Sequence, residues 1–157
     1  MLSQESLARI DKEITKYPAE HRRAAVMSAL RIAQDEHGWL SKEIIAFVAG
    51  YLGIPDIAAL EVASFYNMYD LQPVGKYKIT VCTNISCMLR DSASIVEHLE
   101  HKLGVHCGET TADGKFTLRE GECMGSCGGA PLLLINNTDM RELLTPEKID
   151  AMLAELK

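Results

Sequence analysis

Four of the five cysteines in this chain fall into two tight pairs. Cys82 and Cys87 are separated by four residues, Cys123 and Cys127 by three, and 35 residues lie between the pairs. A fold that uses all four thiols must bring two distant loops to one point and hold each loop rigid. The residues around the pairs read as strands that end where each cysteine loop begins, an arrangement that meets this demand. Nothing in the sequence suggests export, and in a reducing compartment grouped cysteines are more often metal ligands or catalysts than disulfides.

The pattern around the pairs predicts the framework. Tyr77, Ile79 and Val81 alternate as in a half-buried strand. Ile95, Val96, Leu99 and Leu103 give helical spacing over Ser92 to Leu103. Asp113-Gly114 is a turn leading into a strand at Phe116-Thr117-Leu118. The apolar run Leu132 to Ile135 suits a strand buried on both faces, and Asn136-Asn137 a turn after it. Thr145 caps a last helix that has Pro146 at its first position and Glu147 favourable to its dipole. The order is strand, helix, two or three strands, helix.

The first half reads differently. Leu7, Ile10 and Ile14 form one apolar stripe. A long helix is expected from about Glu20 to Glu36, burying Val26, Leu30 and Ala33 and closed by His37-Gly38. Ser41 caps a helix carrying Ile44, Ile45, Val48 and Leu52. Gly53-Ile54-Pro55 breaks it, and Asp56 is the expected cap of a short fourth helix through Ile57, Leu60 and Val62. The composition changes near Pro73-Val74-Gly75. The expected architecture is therefore α+β: a small helical bundle over residues 1–74 and an α/β domain over 75–157.

Sixteen Lys and Arg face 22 Asp and Glu, a net charge of −6. Nucleic acid and anionic lipid both want a basic surface, so neither is expected as the main partner. No apolar run approaches the roughly 20 residues that span a bilayer, and the N-terminal residues do not read as a targeting segment. The expected location is the cytoplasm, without direct membrane insertion.

Each iron of a [2Fe–2S] cluster is tetrahedral and takes two terminal thiolates beside two bridging sulfides, so two cysteine pairs satisfy it. The second loop, Cys123 to Pro131, contains three glycines that permit close backbone approach to such a group. The first loop offers Thr83, Asn84 and Ser86 as polar caps. A structural zinc site, giving a zinc-stabilised interaction module, is the alternative, although zinc pairs usually enclose two residues. Neither pair is Cys-x-x-Cys, as a thioredoxin-type redox site requires, and no histidine lies in either loop to make a Rieske centre. Cys107 stands apart and is read as a free thiol.

The stretches 29–41, 61–77, 81–90, 108–131 and 143–150 together resemble the E subunits of bacterial NADH–quinone oxidoreductase, respiratory complex I, among the thioredoxin-like [2Fe–2S] ferredoxins. The resemblance runs through both halves of the chain. It implies a helical bundle followed by a thioredoxin-like domain, one [2Fe–2S] cluster per chain, and Cys82, Cys87, Cys123 and Cys127 as its ligands. It also implies a flavoprotein partner that binds NADH and FMN, exchange of single electrons with that FMN, and a place peripheral to the inner membrane within the complex. Related subunits of NAD-dependent formate dehydrogenases and NAD-reducing hydrogenases share the cysteine pattern. Residues Asn136 to Glu142 depart from the family's acidic, aromatic stretch, and Ser126 and Gly128-Gly129 differ from the commonest residues there.

Other features are weaker. Ser64-Phe65-Tyr66 and Met68-Tyr69 read either as core or as a contact face for the flavin subunit, and Trp39 shares that ambiguity. His98 and His101 share a helix face, but no carboxylate–histidine pattern completes a metal site. Neither a dinucleotide fingerprint nor a P-loop is present, so NADH and FMN are expected to be bound by the partner.

Overall fold

A computed structural model of the chain describes residues 1–156. Their contacts divide into two units, Met1–Pro73 and Val74–Lys157.

The first unit is helical: α1 (Gln4–Ile14), α2 (Val26–His37), α3 (Lys42–Leu52) and α4 (Asp56–Phe65). Its starts and stops are locally encoded. Ser3 and Ser41 accept hydrogen bonds from Ser6 N and Ile44 N, and Gly53 ends α3 in the left-handed region. Ile10, Leu30, Leu40 and Val48 are fully buried in its core.

Two expectations need correction. The helix expected from Glu20 begins only at Val26. Residues Ala19–Ala25 form 3-10 turns interrupted at His21, and Arg22 reaches from them to the Tyr51 carbonyl at 2.8 Å in the last turn of α3. Asp56 is the first residue of α4 rather than its cap. Pro55 occupies the cap position without a side-chain bond, and the Asp56 carboxylate lies in the first turn, where it favours the helix dipole.

The second unit is a four-stranded sheet with helices, an α+β architecture. Its elements are β1 (Tyr77–Cys82), α5 (Ile85–Met88), α6 (Ser92–Leu103), β2 (Phe116–Gly121), β3 (Leu133–Ile135), β4 (Asp139–Arg141) and α7 (Pro146–Glu155). The sheet order is β2-β1-β3-β4, with β1 and β2 parallel and the other neighbours antiparallel. Ile79, Val81, Leu118 and Leu133 of the sheet pack with Leu99 of α6 and Ile149 of α7, all fully buried. The apolar run is not buried throughout: Leu134 is half-buried while Leu133 and Ile135 are buried. The Asn136-Asn137 turn, with both residues at positive φ, leads into the exposed strand β4 and settles the strand count after α6 at three among the described residues.

Parallel pairing positions the site. Cys82 stands opposite Gly121 in the register, so the C-terminal ends of β1 and β2 lie side by side. Thr83 N–H continues the ladder to the Gly121 carbonyl at 3.0 Å. On the other side of β1, Cys82 N–H donates to the Leu132 carbonyl at 3.0 Å, at the start of β3. Both cysteine loops and the segment entering β3 therefore meet at one end of the sheet.

Candidate metal centre

Cys82 closes β1 and is 2% exposed; Cys87, inside the short helix α5, is 1% exposed. They pack with Ala130 and Leu132, and with the half-buried Met124. α5 exists because Asn84 caps it, its side-chain oxygen accepting from Ile85 N–H at 3.0 Å. The same side chain donates through Nδ2 to Glu122 Oε2 at 2.5 Å, tying the first loop to the second just before Cys123.

Cys123 and Cys127 are exposed, and their Sγ atoms are 3.6 Å apart. That is far beyond a disulfide bond of about 2.05 Å. It is close to the roughly 3.8 Å between two sulfurs bound about 2.3 Å from one tetrahedral metal. Gly125 at φ +87° and the 3-10 turn Cys127–Gly129 bend the loop back. Ala130-Pro131 then leads it toward β3.

Burial pushes the Cys87 thiol up to about 11, helped by its hydrogen bond to Cys82 and by the nearness of Cys82 and Cys127. Three of the four thiols therefore share one neighbourhood, in which a bare thiolate is disfavoured. A cationic metal centre offsets that charge and holds coordinating thiols deprotonated. Among the described residues no group of three or more His, Cys, Asp or Glu converges on a single ion position. The thiols are arranged as pairs, and a two-iron cluster asks for two thiolates at each iron. The donor set thus fits a [2Fe–2S] group.

The family model for thioredoxin-like [2Fe–2S] ferredoxins matches residues 10–157. The chain belongs to that family. It is 46% identical over 145 residues to the NADH-quinone oxidoreductase E subunit of Rickettsia bellii, covering 92% of this chain and 86% of that protein. It is 38% identical over 148 residues to NADH-quinone oxidoreductase subunit 2 of Thermus thermophilus, covering 94% of this chain and 82% of that one. Among solved structures, an NAD+-reducing [NiFe]-hydrogenase in the air-oxidized state superimposes with a TM-score of 0.69. The identity there is 23%, over 81% of this chain and 22% of the hydrogenase chain, a likeness of fold. The family is one of [2Fe–2S] ferredoxins, and the donor set here is compatible with that group.

The remaining sequence candidates fall outside the centre. Cys107 is half-buried beyond α6, and its thiol is pushed up to about 11 by burial and then by Glu120 and Glu100. His98 Nε2 meets Asp150 Oδ1 at 2.8 Å, linking α6 to α7, while His101 is exposed. The aromatic group divides. Tyr69 is 4% exposed and donates its hydroxyl to the Met27 carbonyl at 2.8 Å, whereas Phe65 is 80% exposed. Trp39 is half-buried. Sequence reasoning missed Asn84 as the tie between the loops, and Glu142, whose carboxylate accepts the Ser126 hydroxyl. Only the departure of residues 136–142 from the family pattern pointed toward the latter.

Proposed function

We propose that Cys82 and Cys87, which are buried, and Cys123 and Cys127, which are exposed, would together hold one [2Fe–2S] cluster. In this reading the chain is the electron-transfer subunit of an NADH–quinone oxidoreductase. When bound, the cluster accepts and returns one electron at a time. The chain's residues supply the rest. β1 and β2 fix the loops, Cys82 and Cys87 bury one side of the centre, and Cys123 and Cys127 present the other to a donor. The helical unit, to residue 74, serves as the docking element for a flavoprotein subunit that binds NADH and FMN. Among the described residues no helix is long and apolar enough to cross a membrane, so attachment at the inner membrane would come through partners.

The observation that carries the reading is the meeting of two cysteine pairs at one end of the parallel β1–β2 pair, with Cys123 and Cys127 at 3.6 Å. The relatives named above support the parent complex, since the likeness to them spans both units. The test is anaerobic purification followed by EPR of the dithionite-reduced chain. One spin-half centre per chain is expected, lost or strongly depleted after alanine replacement of any of the four cysteines. Zinc near one per chain with no such signal overturns the cluster. Recovery from the native host with an NADH- and FMN-binding subunit supports the complex, and recovery with nickel or molybdenum subunits assigns the chain to a hydrogenase or formate dehydrogenase instead. The purified chain alone is expected not to oxidise NADH.

A further inference from the structure

The second cysteine loop is braced from outside by the segment after β4. Ser126, next to Cys127, donates its hydroxyl to a carboxylate oxygen of Glu142. Gly129 lies against the same side chain: a Cβ there would stand 2.5 Å from Glu142 Cδ and 2.6 Å from Oε1. The backbone completes the brace. Leu143 N–H donates to the Gly129 carbonyl at 2.7 Å and Leu144 N–H to the Pro131 carbonyl at 3.0 Å. Leu143 itself sits at φ +52°, an uncommon conformation for a residue with a side chain, and Lys148 Nζ donates to its carbonyl at 2.8 Å. The neighbouring Arg141 turns elsewhere, to Asp139 at 2.9 Å and Glu155 at 3.7 Å.

We propose that Glu142 is a positioning residue for the exposed half of the electron site: through Ser126 and Gly129 it holds the loop that carries Cys127, and its fixed charge biases the centre toward the oxidised state. The inference rests on the reading of Cys123 and Cys127 as cluster ligands. A carboxylate held one residue from a ligand opposes the arrival of a further electron, although solvent weakens that opposition at an exposed site. Holding the loop is a separate contribution, because Gln at 142 retains an oxygen acceptor for Ser126 while removing the charge.

The two contributions separate in an experiment on the full-length chain with its cluster. Midpoint potential is read by EPR-monitored titration, and cluster retention by loss of visible absorbance in the presence of a chelator. Glu142→Gln is expected to keep the cluster content and EPR line shape of the parent protein and to shift the potential upward. Glu142→Ala is expected to shift it upward and to lose the cluster several-fold faster than the Gln variant. Should Glu142→Ala fail to fold, Ser126→Ala carries the test of the brace, with faster loss than the parent expected. An unshifted potential in Glu142→Gln, or a parent-like rate of cluster loss in the brace variant, overturns the proposal. A parent protein with no spin-half signal overturns the ligand assignment instead, so the two failures are distinguishable.

Discussion

Asn84 joins the two cysteine loops: one amide accepts from Ile85 N–H at 3.0 Å and donates to Glu122 Oε2 at 2.5 Å. It starts the helix that carries Cys87 and fixes the residue that precedes Cys123. Replacing Asn84 with Ala removes both bonds at once. Loss of a helix cap costs about 1 kcal/mol, and here the cap and the tie are lost together. The expected result is a lower melting temperature and faster release of iron to a chelator. Asn84→Asp keeps the cap but sets two carboxylates against each other, so it is expected to restore the helix without restoring iron retention. Equal iron release in the parent and Asn84→Ala proteins would remove the tie from the account.

Gly75, the second residue of the second unit, lies under close backbone packing. A Cβ there would stand 2.9 Å from backbone atoms of Lys115 and Phe116, and its N–H donates to Thr117 Oγ1 at 2.7 Å. Backbone cannot rotate aside as a side chain does. Gly75→Ala is therefore expected to cost about 1–3 kcal/mol, the range for overpacking a well-filled site, read by denaturant unfolding. A variant with unchanged stability would mean that the backbone entering β2 at Lys115 and Phe116 gives way freely.

How far the sequence reveals this fold depends on how local each signal is. Ser41 and Thr145 are legible caps because the bonds they accept lie three residues away. Ser92–Leu103 is legible because Ile95, Val96 and Leu99 repeat on one buried face. Asp56 misleads because a cap side chain and a first-turn carboxylate look alike in sequence, while Pro55 decides between them. The 3-10 turns at Ala19–Ala25 are hidden because a long-range bond, Arg22 to Tyr51, accompanies them. β4 carries no alternating apolar pattern; it is a strand because Met140 pairs with Leu134 through the backbone. In the site, the cysteine spacing favours an iron–sulfur centre over zinc without excluding zinc. The unequal burial of the two pairs, the Asn84 tie and the Glu142 brace come from residues brought together across 16 to 38 positions of chain, beyond the reach of any local pattern.

Cys107 is expected to be chemically quiet. Its thiol is pushed up to about 11 by burial, then by the carboxylates of Glu120 and Glu100. A shift of about two units above an ordinary thiol leaves roughly a hundredfold less thiolate near neutral pH, and the thiolate is the nucleophile. Alkylation of the cluster-loaded chain, followed by mass spectrometry, should label Cys107 slowly near pH 7 and faster as pH rises toward 11. The neutral thiol is the form the fold prefers. Its contribution to stability is present below the ordinary thiol range and is lost as pH climbs through the folded value. Cys107→Ser is expected to retain a full cluster; loss of the cluster would bring Cys107 into the site.

Asp150 links α7 to α6 by accepting from His98 at 2.8 Å and pairing with Lys102 at 3.0 Å. The hydrogen bond from His98, followed by that from Lys102, holds its carboxyl below the ordinary carboxylate range. A carboxyl whose folded value is lowered contributes stability above its unfolded value and loses it as pH falls through the folded one. Asp150→Asn keeps the shape and removes the charge, so its protection of α7 should be weaker than the parent's at neutral pH. Hydrogen exchange at the α7 amides measures this directly, and the gap between the two proteins should narrow as pH falls below the ordinary carboxylate range and the parent carboxyl loses its charge. The pair is exposed, so added salt should narrow the gap at neutral pH as well. A gap that ignores both acid and salt would place the effect of Asp150 in packing rather than in its charge.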